Sequence, residues 1–429
     1  MEQTIAQCVL AVTLILMVIG RTPLFITAAL GAAIAGLIAG IPMTGDAPVT
    51  FRKLLIAGLN PVLIDMAGIL LFIGIMQASG FLTLIIKEVI RWGNKLSGGP
   101  GIITAAAAVA GMVGMMVGFT QAAITGVIAG PAAIRLGVDP DEAAGALQHA
   151  NNLGCGAGFA HPTQLAILSV CGIGFGMVNV WGALTAFAIM GCAFWRMRRH
   201  VLAKGGSMKF TKEQLEAVLE KFEGEGDKAT VKTWVAFVPF ICLFVGASTG
   251  LPIFLVCFAC ALLVIILAHR NLMKSEADMV KGVKMISIPF VATVVFMFLS
   301  GVINNTGVLD VMSEVFKPLL NTAPMLLMFI VALLAGIVTQ SYLASAAIIL
   351  PFCTLVLGAG ADPMAVAVAA TSGGNLGQYF LTGGPISGLN TVIPVVPGSE
   401  LMRANKFQRP NHVAGWIAAA IITAGLTLL

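Results

Sequence analysis

The chain has 429 residues, 58% of them hydrophobic and only 10% charged, against roughly 45–50% apolar and 25% charged in an ordinary soluble domain. That balance excludes a soluble globular enzyme, a disordered chain and a collagen-like one. The eight cysteines are scattered singly, and Cys171, Cys192, Cys242, Cys257, Cys260 and Cys353 sit in apolar runs, where a free thiol behaves as a small hydrophobe rather than as part of a disulfide or zinc framework. The net charge of +5 reads as a topology signal and not as a nucleic-acid patch.

Apolar runs that match a hydrocarbon core of about 30 Å fall at 4–20, 24–42, 54–78, 143–175, 178–195, 233–249, 251–268, 285–304, 364–396 and 412–429. The first lacks a basic n-region and a small-residue cleavage site, so a retained span is expected. Two further pairs, 101–118 with 121–137 and 323–338 with 341–358, are almost contiguous and polar where they meet. Each pair predicts a re-entrant helical hairpin, over about 101–137 and 323–358. With the N-terminus outside and the hairpins not crossing, 21 of the 24 Lys and Arg residues fall on the inner side, as the positive-inside rule requires. Both termini are then expected outside and the polar segment 196–232 inside. Within that segment, residues 211–222 predict a short helix, boxed by Thr211 and Gln214, with Leu215, Val218, Leu219 and Phe222 on one face. It is expected to be a linker helix resting on the membrane surface or on the protein.

The halves on either side of this linker, 1–195 and 233–429, repeat each other. MVGFTQAAITGVIAGP in the first is followed by Asp139-Pro140, Asn152-Leu153-Gly154 and His161-Pro162. AGIVTQSYLASAAIILP in the second is followed by Asp362-Pro363, Asn375-Leu376-Gly377 and Gly384-Pro385. The Asp-Pro proline precedes the Asn by 12 residues in both halves, and the later proline follows the Asn by 10 in both. Because the span count places the two hairpins on opposite sides, the expected fold is an all-α polytopic membrane protein with two inverted-topology repeats. Each repeat carries one hairpin and one discontinuous helix, at about 143–175 and 364–396.

The discontinuities follow from composition. NNLGCGAGFAHP and TSGGNLGQYFLTGGP are too rich in glycine and proline to stay helical, and unwound backbone in a membrane is tolerated only inside protein or along a cavity. Half-helix N-termini at such a place suit a carboxylate, and carbonyls with hydroxyls suit a sodium ion. The expected substrate contacts are Thr120, Gln121, Asn151 and Asn152 from the first half, and Thr339, Gln340, Ser341, Gly374 and Asn375 from the second. A sodium site is expected near Thr120, Asn152, Thr339 and Asn375. Equally, each hydroxyl or amide can serve only to satisfy helix-end backbone. Intramembrane ionisable groups are functional candidates by default, which singles out Asp65, His149 and His161 for coupling to a cation or proton. No HExxH, Walker motif or nucleophile–base constellation accompanies them, so neither an enzyme nor a resident cofactor or metal is expected.

On these features the chain resembles the ion transporter superfamily. The stretch GAGFAHPTQLAILSVCGIGFGMVNVWG is similar to the gluconate permease family, and the order of hairpin, Asp-Pro connection and broken helix looks like the anaerobic four-carbon dicarboxylate carriers. Where sodium-dicarboxylate carriers show Ser-Asn-Thr at the hairpin tip, this chain has Phe119-Thr120-Gln121 and Val338-Thr339-Gln340. The resemblance implies a cation-coupled symporter for a small organic acid anion, such as a sugar acid or dicarboxylate, in a bacterial inner membrane. It also implies an elevator motion, with 80–95 and 307–320 as connecting arms, and a homodimer. A cation/proton or oxyanion antiporter, or the membrane subunit of a multi-component uptake system, stays open beside it.

Overall fold

The computed structural model describes residues 1–19, 21–59, 61–117, 122–205, 209–220, 229, 231–249, 251–380 and 383–428. Among them there is no strand, as expected where every backbone polar group must be satisfied without water. Among the described residues six helical stretches are long and apolar enough to cross a membrane, and shorter apolar helices lie between them. The protein is a multi-pass integral membrane protein.

The first half opens with α1 (Glu2–Ile19), α2 (Leu24–Ile38), the short α3 (Phe51–Ala57) and α4 (Pro61–Ala78), so that the run expected as one span over 54–78 is divided. An amphipathic arm, α5 (Phe81–Ser97), leads to α6 (Gly99–Val117) and α7 (Ala122–Arg135), the two limbs of the first hairpin. The expected broken helix then appears as α8 (Pro140–Leu147), α9 (Ala150–Gly156) and α10 (Pro162–Cys171), followed by α11 (Met177–Ala203). After the linker helix α12 (Lys212–Glu220), the order recurs in the second half. It runs through α13 (Thr233–Ser248), α14 (Ile253–Leu267), α15 (Leu272–Val283), α16 (Ser287–Asn304) and the second arm, α17 (Val308–Thr322). The second hairpin is α18 (Pro324–Thr339) with α19 (Tyr342–Gly358); the second broken helix is α20 (Pro363–Gly377) with α21 (Gly383–Val392). The chain closes with α22 (Leu401–Gln408) and α23 (His412–Leu428).

Local chemistry explains where the broken helices start. Asp139 and Asp362 cap α8 and α20 by accepting from Asp141 N and Ala365 N, at 3.0 and 2.7 Å, each with the following proline in the first turn. The proline lacks only an N–H that would be orphaned there anyway. Glycine then lets each hairpin lie against its broken helix. A Cβ at Gly377 would stand 2.2 Å from Leu333 O of α18, and one at Gly336 2.5 Å from Gly374 O. In the first half a Cβ at Gly111 would stand 2.8 Å from Leu153 Cβ, and Gly154 faces Gly114. Small residues at these crossings replace a hydrophobic driving force that lipid does not supply.

The linker helix rests on the protein. Its box forms as expected, with Thr211 N donating to Gln214 Oε1 at 3.1 Å and Gln214 N to Thr211 Oγ1 at 3.3 Å. Leu215 and Leu219 are buried, and Arg91 of the arm α5 grips Glu216 with two bonds of 2.7 and 2.8 Å. The Arg91 hydrogen bond holds the Glu216 carboxyl below its usual range. Phe222 lies outside the described residues.

Glu216→Gln should raise hydrogen exchange or protease cleavage over 209–220 while costing no more than about 1 kcal/mol of overall stability, as fits a half-exposed pair. Because a carboxyl with a lowered pKa stabilises above its unfolded value, the same loosening should appear in the unaltered protein as pH falls through the lowered value. In the fold itself, Gly377→Ala should cost about 1–3 kcal/mol in detergent melting experiments. Gly191→Ala on α11, with open space around it, should not.

Candidate functional site

The breaks in the two discontinuous helices meet, and the backbone they free is partnered from other elements. In the first, Ala157 O accepts from Asn179 Nδ2 of α11 at 2.9 Å, and Phe159 N donates to Met115 O of α6 at 2.6 Å. In the second, Phe380 O accepts from Arg409 Nη2 at 2.7 Å, from the turn before α23. The two are then tied to one another. Asn375 Nδ2 donates to Asn152 O at 3.1 Å, and the Asn151 amide bonds the Tyr379 hydroxyl. Gly156 permits this approach, since a Cβ there would stand 2.7 Å from Asn375 Nδ2. Thus the two Asn-Leu-Gly motifs, 223 residues apart, form one crossing.

The second hairpin tip joins that crossing. Tyr342 N, at the start of α19, donates to Gln378 Oε1 at 3.1 Å, while Gln378 Nε2 donates to Asn375 O and Oδ1 at 3.1 Å. Tyr342 O accepts from Thr163 Oγ1 at 3.0 Å, and the Tyr342 ring stacks on His161 with centroids 4.7 Å apart. At the tip itself Gln340 has a left-handed backbone, φ 50°. Thr339 Oγ1 bonds Ala335 O at 2.8 Å and takes Ser341 N at 3.3 Å, and Ser341 Oγ caps α19 by accepting from Ala344 N at 3.3 Å. Here the hydroxyls hold the tip in shape. Gly374 acts through its lack of a side chain, because a Cβ would stand 2.5 Å from Ile349 and 3.0 Å from the Tyr342 ring.

Beside the crossing lies a buried polar chain. His149 Nε2 faces Asn411 Nδ2 at 2.9 Å, Asn411 Oδ1 accepts from Arg196 Nη1 at 2.6 Å, and Asn152 Nδ2 faces His412 Nε2 at 3.1 Å. His412 stacks on Tyr379 with centroids 4.5 Å apart. Several buried polar atoms here have no hydrogen-bond partner among the described residues: both ends of Gln148, His149 Nδ1, Asn152 Oδ1, His161 Nδ1 and Gln164 Nε2. An orphaned buried group costs about 1–3 kcal/mol. A polar ligand or ion bonding such atoms would offset that cost. A groove of about 540 Å³ between α1 and α2, by contrast, is lined chiefly by apolar side chains and offers an anion no charged group.

Of the residues singled out from sequence, Asn151, Asn152, Gly374, Asn375, His149 and His161 are brought together, with Thr339, Gln340 and Ser341 at the adjoining tip. Thr120 and Gln121 lie outside the described residues. Asp65 sits elsewhere, on α4, where its Oδ1 accepts from Phe254 N at the start of α14 at 3.2 Å. Sequence reasoning passed over Tyr342, Tyr379, Gln378, Gln164, Asn411 and His412. A signal for two of them existed: the chain has only two tyrosines, and both are buried, Tyr379 at the second break and Tyr342 at the hairpin tip.

No family model and no curated protein matches the sequence. Two solved structures share its fold over nearly their whole length. One is the YdaH transporter of Alcanivorax borkumensis, of unusual topology, at 13% identity and a TM-score of 0.58, with 93% of this chain and 96% of that one covered. The other is MtrF of Neisseria gonorrhoeae, of a class of antimetabolite efflux pumps, at 13% identity and a TM-score of 0.63, with 94% and 95% covered. The chain has a fold found in transporters.

Proposed function

We propose that the protein is a secondary active carrier that moves a small organic acid anion, such as a sugar acid or a dicarboxylate, in symport with protons or sodium. The observation that carries this reading is the crossing at Asn152 and Asn375. Two interrupted helices from separate halves, and the tip of a hairpin, converge on buried amides and orphaned polar atoms, an arrangement suited to holding a polar solute inside a membrane. Transport as such is further supported by the fold shared with two transporters.

In this reading Asn151, Asn152 and Asn375, with Thr120, Gln121, Thr339, Gln340, Ser341 and the backbone beside Gly374, form the substrate site. Sodium, where it is the coupling ion, sits among the oxygens near Thr120, Asn152, Thr339 and Asn375. Each half acts as one of two inverted repeats, and hairpins and broken helices travel as a unit on the arms α5 and α17, within a homodimer in a bacterial inner membrane. Asp65, His149 and His161 are the coupling groups proposed from sequence. Of these the two histidines adjoin the site, whereas Asp65 belongs to the α4–α14 pair.

A second reading, export in exchange for an entering cation, is favoured by one observation, the fold shared with an antimetabolite efflux pump. Both readings meet the same test. Purified protein in tight liposomes should accumulate one of a panel of labelled organic acids under an imposed proton or sodium gradient, and Asn375→Ala should reduce that transport at least about tenfold. Accumulation only when the gradient is reversed would favour export. Transport unaltered in both Asn152→Ala and Asn375→Ala would remove the crossing as the site.

A further inference from the structure

The hydrogen bonds around His412 fix where each proton lies. Its Nδ1 approaches Gln408 O at 3.1 Å, and a carbonyl only accepts, so Nδ1 carries a hydrogen. In the neutral ring Nε2 is then the acceptor, and the Asn152 atom 3.1 Å away must be the amide nitrogen. This leaves Asn152 Oδ1, buried and without a partner, as the free end of the side chain at the crossing. His149 is held by the same logic but more firmly. Arg196 can only donate, so it selects Asn411 Oδ1 at 2.6 Å and turns Asn411 Nδ2 toward His149 Nε2 at 2.9 Å. A second proton on His149 would set two donors against each other or break the Arg196 bond. A second proton on His412 asks only that the unencumbered Asn152 amide turn over.

We propose that His412 is the site of the coupling proton, and that its protonation reverses the Asn152 amide, so that the free end presents N–H groups to an anionic substrate. This rests on the carrier reading above and names its coupling device. One proton from the aqueous side enters the Nε2 lone pair; the Asn152 Nδ2–H bond to Nε2 is replaced by Nε2–H donating to Asn152 Oδ1, and Nδ2 is released toward the crossing. The Tyr379 ring stacked on His412 at 4.5 Å supports the imidazolium through its π face. The other titratable or charged groups facing it are His149 on α9, with centroids 5.1 Å apart, and, through Asn411, Arg196 and Cys192 on α11. α18 brings none, and among the described residues no carboxylate bonds the ring. Proton and anion therefore favour one another, and by linkage each raises the affinity for the other.

The test uses purified full-length protein in liposomes with labelled succinate and gluconate as probes. Counterflow at equal pH reports binding and movement alone, whereas accumulation under a proton gradient also requires coupling. In wild type, affinity measured by counterflow should rise about tenfold as pH falls. His412→Gln should keep counterflow, lose that pH dependence and lose proton-driven accumulation. Proton-driven accumulation in His412→Gln equal to wild type would overturn the inference while leaving the carrier reading intact. A wild type without counterflow of either probe would count against the carrier reading instead. The inference is then decided, as it is if His412→Gln does not fold, by nitrogen NMR of the wild type. The Asn152 side-chain amide signal should move in step with His412 protonation. An Asn152 signal indifferent to that titration would overturn the proposal.

Discussion

Backbone freed in the middle of a membrane has to find its partners inside the protein, and the rest of this structure is arranged around that demand. Two helices are interrupted by glycine and proline at matched positions, and each interruption is answered from another element: by Asn179 of α11, by Met115 of α6, by Arg409 ahead of α23. The decisive tie runs between the two interrupted helices. Asn375 of one interrupted helix serves the main chain of Asn152 in the other, so the interruptions cannot be satisfied independently. Removing the Asn375 amide takes a donor from Asn152 O, and removing the Asn152 amide leaves His412 Nε2 without its partner, each costly in a medium that offers no water.

This constraint accounts for the use of glycine elsewhere. Hairpins can reach the crossing only if they lie close to the broken helices, and Gly336, Gly374 and Gly377 allow α18 and α19 to do so where a single methyl group would collide. Elsewhere, the Arg91–Glu216 bonds fasten the linker helix to the first arm. The segment that joins the two halves is thereby tied to one of the proposed connecting arms.

Much of this was legible in the sequence because it is local. Apolar run length gave the helices, Asp-Pro pairs their starts, glycine clusters the breaks, and the Thr211–Gln214 box the linker helix. The matched 12 and 10 residue spacings picked out Asn152 and Asn375, whose contact spans the two halves. What could not be read is long-range partnership. Tyr342, Gln378 and His412 matter through residues far away along the chain, and nothing in the short stretch around His412 distinguishes it from a span boundary. The same limit explains Asp65. An acidic residue within a span looks functional from sequence, yet its carboxylate faces the N–H of Phe254 on α14, which sequence spacing does not place beside it. Thr339 and Ser341 show the converse: chosen as contacts, their hydroxyls also hold the hairpin turn together.

In the proposed transport cycle the hairpin tip beside the Asn152–Asn375 crossing faces one side of the membrane and then the other. That alternation is tested most directly by placing one cysteine at Ser341 in a chain whose eight native cysteines have been replaced. Its labelling by an impermeant thiol reagent is then measured from each side of the liposome. Access from both sides is expected, with the balance shifting when a cation gradient is reversed. Labelling from one side alone under every gradient, in protein that still transports, would contradict it.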